Sequence, residues 1–231
     1  LLINKMLINK LKFYYRKILS KDIRTKFRKI FKFILYNFRF LKLKLFLALS
    51  RDVKLILGAA LTSNKSWIST NEEWFDITKK HHWDRLFHKK KLMKRALAEH
   101  VFEHLTKEEM AIAFKFIYKH LASKGTLRIA VPDGNNPNPE YIKNTGINGI
   151  GADASDHKQF IKFEYLKSEL EKVGFKCFIR EGYKSNGELV NEKLPPELGY
   201  IIRSRKSSYE STKEGWDFVD ANSSLIVDAY K

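Results

Sequence analysis

The side chains able to do chemistry gather in a few short runs. In Ala98-Glu99-His100-Val101-Phe102-Glu103-His104-Leu105 two histidines stand four apart, so on a helix both imidazoles would share one face. That H-x-x-E-H spacing suits a zinc ion with a carboxylate beside it. Such a site also needs a third ligand, carried on a long downstream helix, and the strand that leads into this run explains the same residues without a metal, so none is expected. A second run, Asp156-His157-Lys158, closes a long loop; His157 could deprotonate an acceptor hydroxyl or anchor the loop by a hydrogen bond. Asp133 follows a strand-like run closed by Pro132-Asp133-Gly134, and ligands of α/β sheets bind just past strand carboxyl ends. His81, His82 and His88 lie among lysines and read as solvated surface. Cys177 is the single cysteine, so no internal disulfide can form, which fits a reducing cytosol.

The elements that must position these groups begin at Asp52, where short apolar runs alternate with amphipathic stretches in the manner of a parallel α/β sheet. The pattern predicts strands over 53–57, 67–70, 92–98, 126–131 and 175–180, and a final strand over 224–230. It predicts helices over 106–122, with Thr106 as its cap and Gly125 ending it, and over 163–173, closed by Gly174. Residues 133–156 are dense in Asn, Gly and Pro and read as one long loop, a length that commonly serves function. Residues 185–223 read as a polar excursion. About nine residues separate Leu57 from Trp67, whereas a parallel crossover usually takes a dozen or more. The helix normally found there must be a turn or absent.

This order of elements, with the runs "AEHVFEHL" at 98–105, "GTLRIAVPDG" at 125–134, Asp156-His157-Lys158 and "SLIVDAYK" at 224–231, resembles the class I S-adenosylmethionine-dependent methyltransferases. It is most similar to the small bacterial members associated with cell-surface polysaccharide biosynthesis. The resemblance covers 52–231 and implies an α/β, Rossmann-like sheet, mostly parallel with an antiparallel last strand. It implies S-adenosylmethionine as cofactor and a glycan or other small acceptor as substrate. The glycine loop of the family falls on Gly58, Ala59 and Ala60, with Ala60 where the family has its second glycine. The acid that ends the second strand and accepts the ribose hydroxyls is Asn71 here, flanked by Glu72 and Glu73. Asp76 and Ile77 would lie near the adenine, although Asp76 or Thr78 could equally cap a helix. Glu99 and His100 would face the methionine end or the substrate edge, although Glu99 would also suit a helix N-terminus. Methyl transfer is an in-line displacement that asks mainly for positioning and, where needed, removal of a proton. The catalytic candidates are therefore His157 and Asp133. Ala60 and Asn71 both fall on cofactor binding, which leaves open a degenerate fold that serves as a binding or scaffold protein.

Charge separates the chain into two parts. The net charge is +18, and residues 1–50 hold 14 Lys and Arg against one acid, Asp22, whereas the rest holds 30 against 25. In that first segment apolar residues recur every three or four positions from Leu7 to Leu45, with Lys26, Lys29, Lys32, Arg39 and Lys42 largely off the stripe. It reads as basic amphipathic helix, broken near Ser20-Lys21-Asp22 with Asp22 as the cap. The expected organisation is a helical arm over 1–50 and an α/β domain over 51–231. Lysines and arginines interrupt every stretch long enough to span a bilayer, and no apolar core ends in a signal-peptide cleavage site. The expected partner of the arm is an anionic membrane surface, with packing on its own domain or on another protein as alternatives. That places the chain in the cytoplasm, peripheral to the inner face of the membrane. Charge alone favours nucleic acid, and with no base-reading motif beside it nucleic acid is not the expected partner.

Overall fold

The computed structural model describes residues 20–49, 52–60, 62–87, 92–151, 154–204 and 224–231. It divides into two units, Leu1–Lys42 and Leu43–Lys231, and the first described helix is α1 (Lys21–Leu49). Ser20 Oγ accepts the Ile23 N–H at 3.4 Å, so Ser20 rather than Asp22 caps α1. Asp22 stands in the first turn, where its charge meets the positive end of the helix dipole. Phe27, Ile30, Phe31, Phe33, Ile34 and Phe38 are 58% to 69% exposed. The upstream half of the expected stripe, with Leu7, Leu11, Tyr14 and Ile18, lies outside the described residues. Among the described residues no helix is long and apolar enough to cross a membrane.

The second unit is built on a seven-stranded sheet in the order β2-β1-β3-β4-β7-β5-β6. Its strands are β1 (Lys54–Leu57), β2 (Ile68–Ser69), β3 (Met93–Glu99), β4 (Leu121–Pro132), β5 (Lys176–Tyr183), β6 (Leu189–Asn191) and β7 (Ser224–Tyr230). Strands β2, β1, β3 and β4 are parallel neighbours, while β7 runs antiparallel between β4 and β5. This is the expected Rossmann-like α/β sheet with an antiparallel last strand.

The helices of this unit are α2 (Lys80–Leu86), α3 (Lys107–His120), α4 (Pro139–Thr145) and α5 (Phe163–Val173). Helix α3 opens on a reciprocal capping box in which Thr106 Oγ1 accepts the Glu109 N–H and Glu109 accepts the Thr106 N–H. Its buried face is Met110, Ala113, Phe114 and Ile117. Gly125 does not end it. The chain passes directly from α3 into β4 at Leu121, and Gly125 lies inside that strand. The pairing slips between Met93↔Leu121 and Arg95↔Thr126, so 122–125 bulge out with Lys124 at φ +61°. The Lys231 ammonium donates to the carbonyls of Tyr118 and Leu121, satisfying acceptors that the end of α3 leaves open. The expected loop over 133–156 contains α4, because Pro139 takes the first helical position and Asn138 Oδ1 accepts the Glu140 N–H at 2.9 Å. Helix α5 has the expected bounds and ends on Gly174 at φ +111°, a left-handed backbone that a side chain would strain.

As the spacing required, no helix lies between β1 and β2 among the described residues. The chain turns there through Thr62 N–H to Ala59 O and Trp67 N–H to Asn64 O. Because strand side chains alternate, Ile56, Leu97, Ala130 and Ile226 share one face of the sheet. With no helix to cover them, they form a single cluster with Ala59, Trp67, Leu194, Tyr200 and Ile201.

Cys177 on β5 is half-buried. Burial pushes its thiol up to about 12, with the Glu171 charge adding to the shift. The native chain should therefore react with iodoacetamide at mildly alkaline pH at least about tenfold more slowly than the urea-unfolded chain. The same shift lowers stability as pH rises from the ordinary thiol value of about 8.5 toward 12, since only the unfolded chain can shed the proton there. Cys177→Ser should flatten that part of the profile.

Candidate functional site

From β1 the chain moves outward to β2 and then crosses back over β1 to β3, so the strand order reverses between β1 and β3. Open α/β sheets bind ligands outside the carboxyl ends of the strands at such a switch point. After β1, Gly58 turns at φ +59°, where an added Cβ would lie 2.7 Å from Val101 Cγ2. Ala59 N–H donates to Thr70 O at 2.7 Å and Ala60 N–H to Asn71 Oδ1 at 2.8 Å, stitching this loop to the one after β2. After β3 the backbone turns at His100, φ +53°, whose N–H donates to Ala130 O. A 3₁₀ turn, Phe102–His104, follows. The Glu103 carbonyl accepts the N–H groups of both Lys158 and Gln159, which brings 156–158 beside that turn.

These loops enclose a cleft of about 890 Å³, within the range of small-molecule sites. Six of the expected cofactor residues line it: Gly58, Ala60, Asn71, Asp76, Ile77 and His100. Ala59 and Glu99 do not. Ala59 is buried behind the loop, and the Glu99 carboxylate accepts the N–H groups of Ile202 and Arg203 at 3.0 and 2.8 Å. Asp76 Oδ1 accepts the Thr78 N–H and hydroxyl, while Asp76 N–H donates to His82 Nδ1 at 2.7 Å. His82 is thus a fixed acceptor rather than a solvated side chain; burial, and then the His81 charge, hold its pKa below the ordinary imidazole value. Neither Asp76 nor Thr78 caps a helix, since α2 starts later, after Lys79, without a side-chain cap.

The two catalytic candidates lie away from the cleft lining. Asp133 is fully buried, and its carboxylate accepts the Asn135 N–H at 3.0 Å and the Tyr183 N–H at 2.8 Å, tying the end of β4 to β5. His157 is 8% exposed and donates from Nδ1 to the Thr145 carbonyl at 2.8 Å. His100 lines the cleft with Nε2 3.2 Å from Ser224 Oγ and Nδ1 2.8 Å from Glu103 Oε1. The cleft is also lined by Glu72, Glu73, Lys79, His104, Glu109, Asp156 and Lys158. Among these, His104, Asp156 and Lys158 stand in the two motif runs of the sequence, and it is their common wall that the sequence hides. Glu109 is held below the usual carboxylate range by the Thr106 N–H and then by Lys158.

Ala60 holds a left-handed backbone at φ +46° with a side chain attached. Relief of that strain, about 1–2 kcal/mol, exceeds the extra chain entropy of glycine, about 0.5–1 kcal/mol. Ala60→Gly should therefore raise stability by roughly 0.5–1 kcal/mol in urea denaturation. A loss of stability would mean that the Ala60 methyl packs productively.

No family model matches the chain, and no curated protein matches it by sequence. Solved structures similar to it include S-adenosylmethionine-dependent methyltransferases. One from Archaeoglobus fulgidus is 14% identical over 85% of this chain and 94% of that one, with a TM-score of 0.47. One from Thermotoga maritima is 15% identical over 90% and 97%, with a TM-score of 0.43. One from Mesorhizobium loti is 11% identical over 78% and 90%, with a TM-score of 0.40. Likeness at this level assigns no activity to the chain.

Proposed function

We propose that the chain is an S-adenosylmethionine-dependent methyltransferase acting on a sugar or lipid-linked glycan, on the cytoplasmic side of an anionic membrane. The observation that supports this reading is the convergence of Gly58, Ala60, Asn71, Asp76, Ile77 and His100 on one cleft at the switch point of the sheet. The cleft suits the cofactor in size, and Gly58 stands on its wall as bare backbone because Val101 occupies the place where a Cβ would go. Glu72 and Glu73, beside Asn71, offer carboxylates to ribose hydroxyls in place of the missing acid. When bound, the cofactor supplies an electrophilic methyl on a sulfonium. The residues of the chain bind and orient it, and the stitched loops after β1 and β2 hold that wall in place.

Calorimetric titration of the full chain with S-adenosylmethionine and S-adenosylhomocysteine tests the reading. Micromolar binding of both, about −8 kcal/mol, is expected, and turnover is then sought with nucleotide-sugars and lipid-linked glycans. Absence of heat from folded protein at several temperatures would favour the second reading, a binding or scaffold protein, which Ala60 and Asn71 support. In that case Ala60→Gly with Asn71→Asp should gain cofactor binding, since Asp keeps the oxygen that accepts the Ala60 N–H.

The arm is proposed to lie on anionic lipid, with the exposed Phe27, Phe31 and Phe38 in the acyl boundary and lysines at the phosphates. Flotation should recover the full chain with anionic vesicles and not with neutral ones. A Phe27→Ser/Phe31→Ser/Phe38→Ser variant that floats equally well would remove this part of the proposal.

A further inference from the structure

We propose that Glu103, His104 and His157 form a binding site for a divalent metal ion of the zinc class. One potential ligand atom from each lies within 4.8 Å of the others, a spread that small side-chain movements would close around an ion. Two nitrogens and a carboxylate oxygen are the donor set that zinc takes.

The case rests most on Glu103. Its side chain is 0% exposed, and neither carboxylate oxygen has a hydrogen-bond partner. His100 Nδ1 comes within 2.8 Å of Oε1, a charged contact only if that ring is protonated, and it lacks the alignment of a hydrogen bond. A buried carboxylate that accepts no hydrogen bond and has only this one contact costs several kcal/mol, which a cation beside it would offset. The two histidines are set for that task. His157 gives its Nδ1 proton to the Thr145 carbonyl at 2.8 Å, which fixes the tautomer and leaves Nε2 free as a ligand, the arrangement by which backbone carbonyls orient metal-binding histidines. His104 stands with its ring edge-on to His157, centroids 4.9 Å apart, and its Nδ1 is 3.0 Å from Asp156 Oδ1 without the alignment of a hydrogen bond. The frame around them is pinned: Lys158 and Gln159 N–H groups both donate to the Glu103 carbonyl, and Gln159 Nε2 donates to Leu105 O at 2.7 Å.

The motif read as H-x-x-E-H thus supplies its second histidine and its acid, and the third ligand comes from Asp156-His157-Lys158 rather than from a later helix. His100, the first histidine, turns to Ser224. Since His104 and Asp156 line the cleft, an ion held here would border it, where it could lower the pKa of a bound water or acceptor hydroxyl. His157 cannot then serve as a free base, because its remaining nitrogen is the ligand. The proposal goes beyond the methyltransferase reading and can be tested without turnover.

The experiment uses the full chain, free of any affinity tag and stripped with a chelator, titrated with Zn²⁺ by calorimetry and with Co²⁺ by visible absorption. One equivalent should bind, with the d–d bands of a low-symmetry cobalt site. Glu103→Gln and His157→Ala should each weaken binding at least about tenfold, with folding checked by circular dichroism. Should either variant unfold, His104→Ala at the cleft wall provides the same reading. His81→Ala/His82→Ala should leave binding unchanged. Absence of binding, binding that survives the site variants, or binding abolished by the His81/His82 change would overturn the proposal.

Discussion

Replacing Arg128 by alanine is expected to remove about 3–5 kcal/mol of stability, a large share of the roughly 5–15 kcal/mol that a domain usually has. Arg128 on β4 stands directly opposite Asp228 on β7, and neither side chain is exposed to solvent. Its guanidinium forks onto the carboxylate, Nε to Oδ1 at 2.6 Å and Nη2 to Oδ2 at 2.8 Å. Nη1 then donates to the carbonyls of Pro195 and Gly199. Truncation would leave the buried Asp228 with only Arg180, which Glu192 shares, and would free two carbonyls that hold 195–199 onto the sheet. Arg128→Lys should fall between, because an ammonium keeps the charge without the fork. Urea denaturation measures both, and a loss below about 1 kcal/mol for Arg128→Ala would mean that Arg180 alone neutralises the aspartate.

Gly58→Ala is expected to have the largest effect at the cleft. The left-handed backbone there costs a side chain about 1–2 kcal/mol, and the new methyl meets Val101 Cγ2 at 2.7 Å. Val101 is β-branched and has little rotamer freedom to retreat, so the strain passes into the turn that carries His100 and His104. Cofactor affinity should fall at least tenfold, roughly 1.4 kcal/mol, beyond any change in thermal stability. Calorimetry on the folded variant separates the two effects, and wild-type affinity would place the cofactor away from this loop.

The elements that could be read from the sequence were those whose ends are set locally. Helix α5 and β7 have the expected bounds because a helical apolar period runs into Gly174 in one case and a short, nearly continuous apolar run marks a strand buried on both faces in the other. Gly125 misled because a glycine usually stops a helix by its own backbone freedom, whereas α3 stops when Leu121 is drawn into pairing with Met93. Helix α4 was hidden by the same Asn and Pro residues that start it, since loops and helix beginnings draw on one alphabet. At the cleft, the loop after β1 was legible through the resemblance, but the direction of Glu99 was not. Its partners are a hundred residues away, as Ile202 and Arg203. His104 and His157 likewise become neighbours only through the pairing of the 156–159 backbone with the turn after β3.

The cover that 194–201 gives the sheet beside β1 and β3 also sets an order in time. Glu99 and Ile202 are 103 residues apart in the chain, so this half of the domain depends on contacts of long range, the kind that slow folding. On a ribosome adding 5–20 residues per second, roughly 5–20 s separate the synthesis of β3 from that of the segment that closes over it. Until then Ile56 and Leu97 lack the cover of Leu194, Tyr200 and Ile201, a surface for a holdase chaperone to keep from other nascent chains.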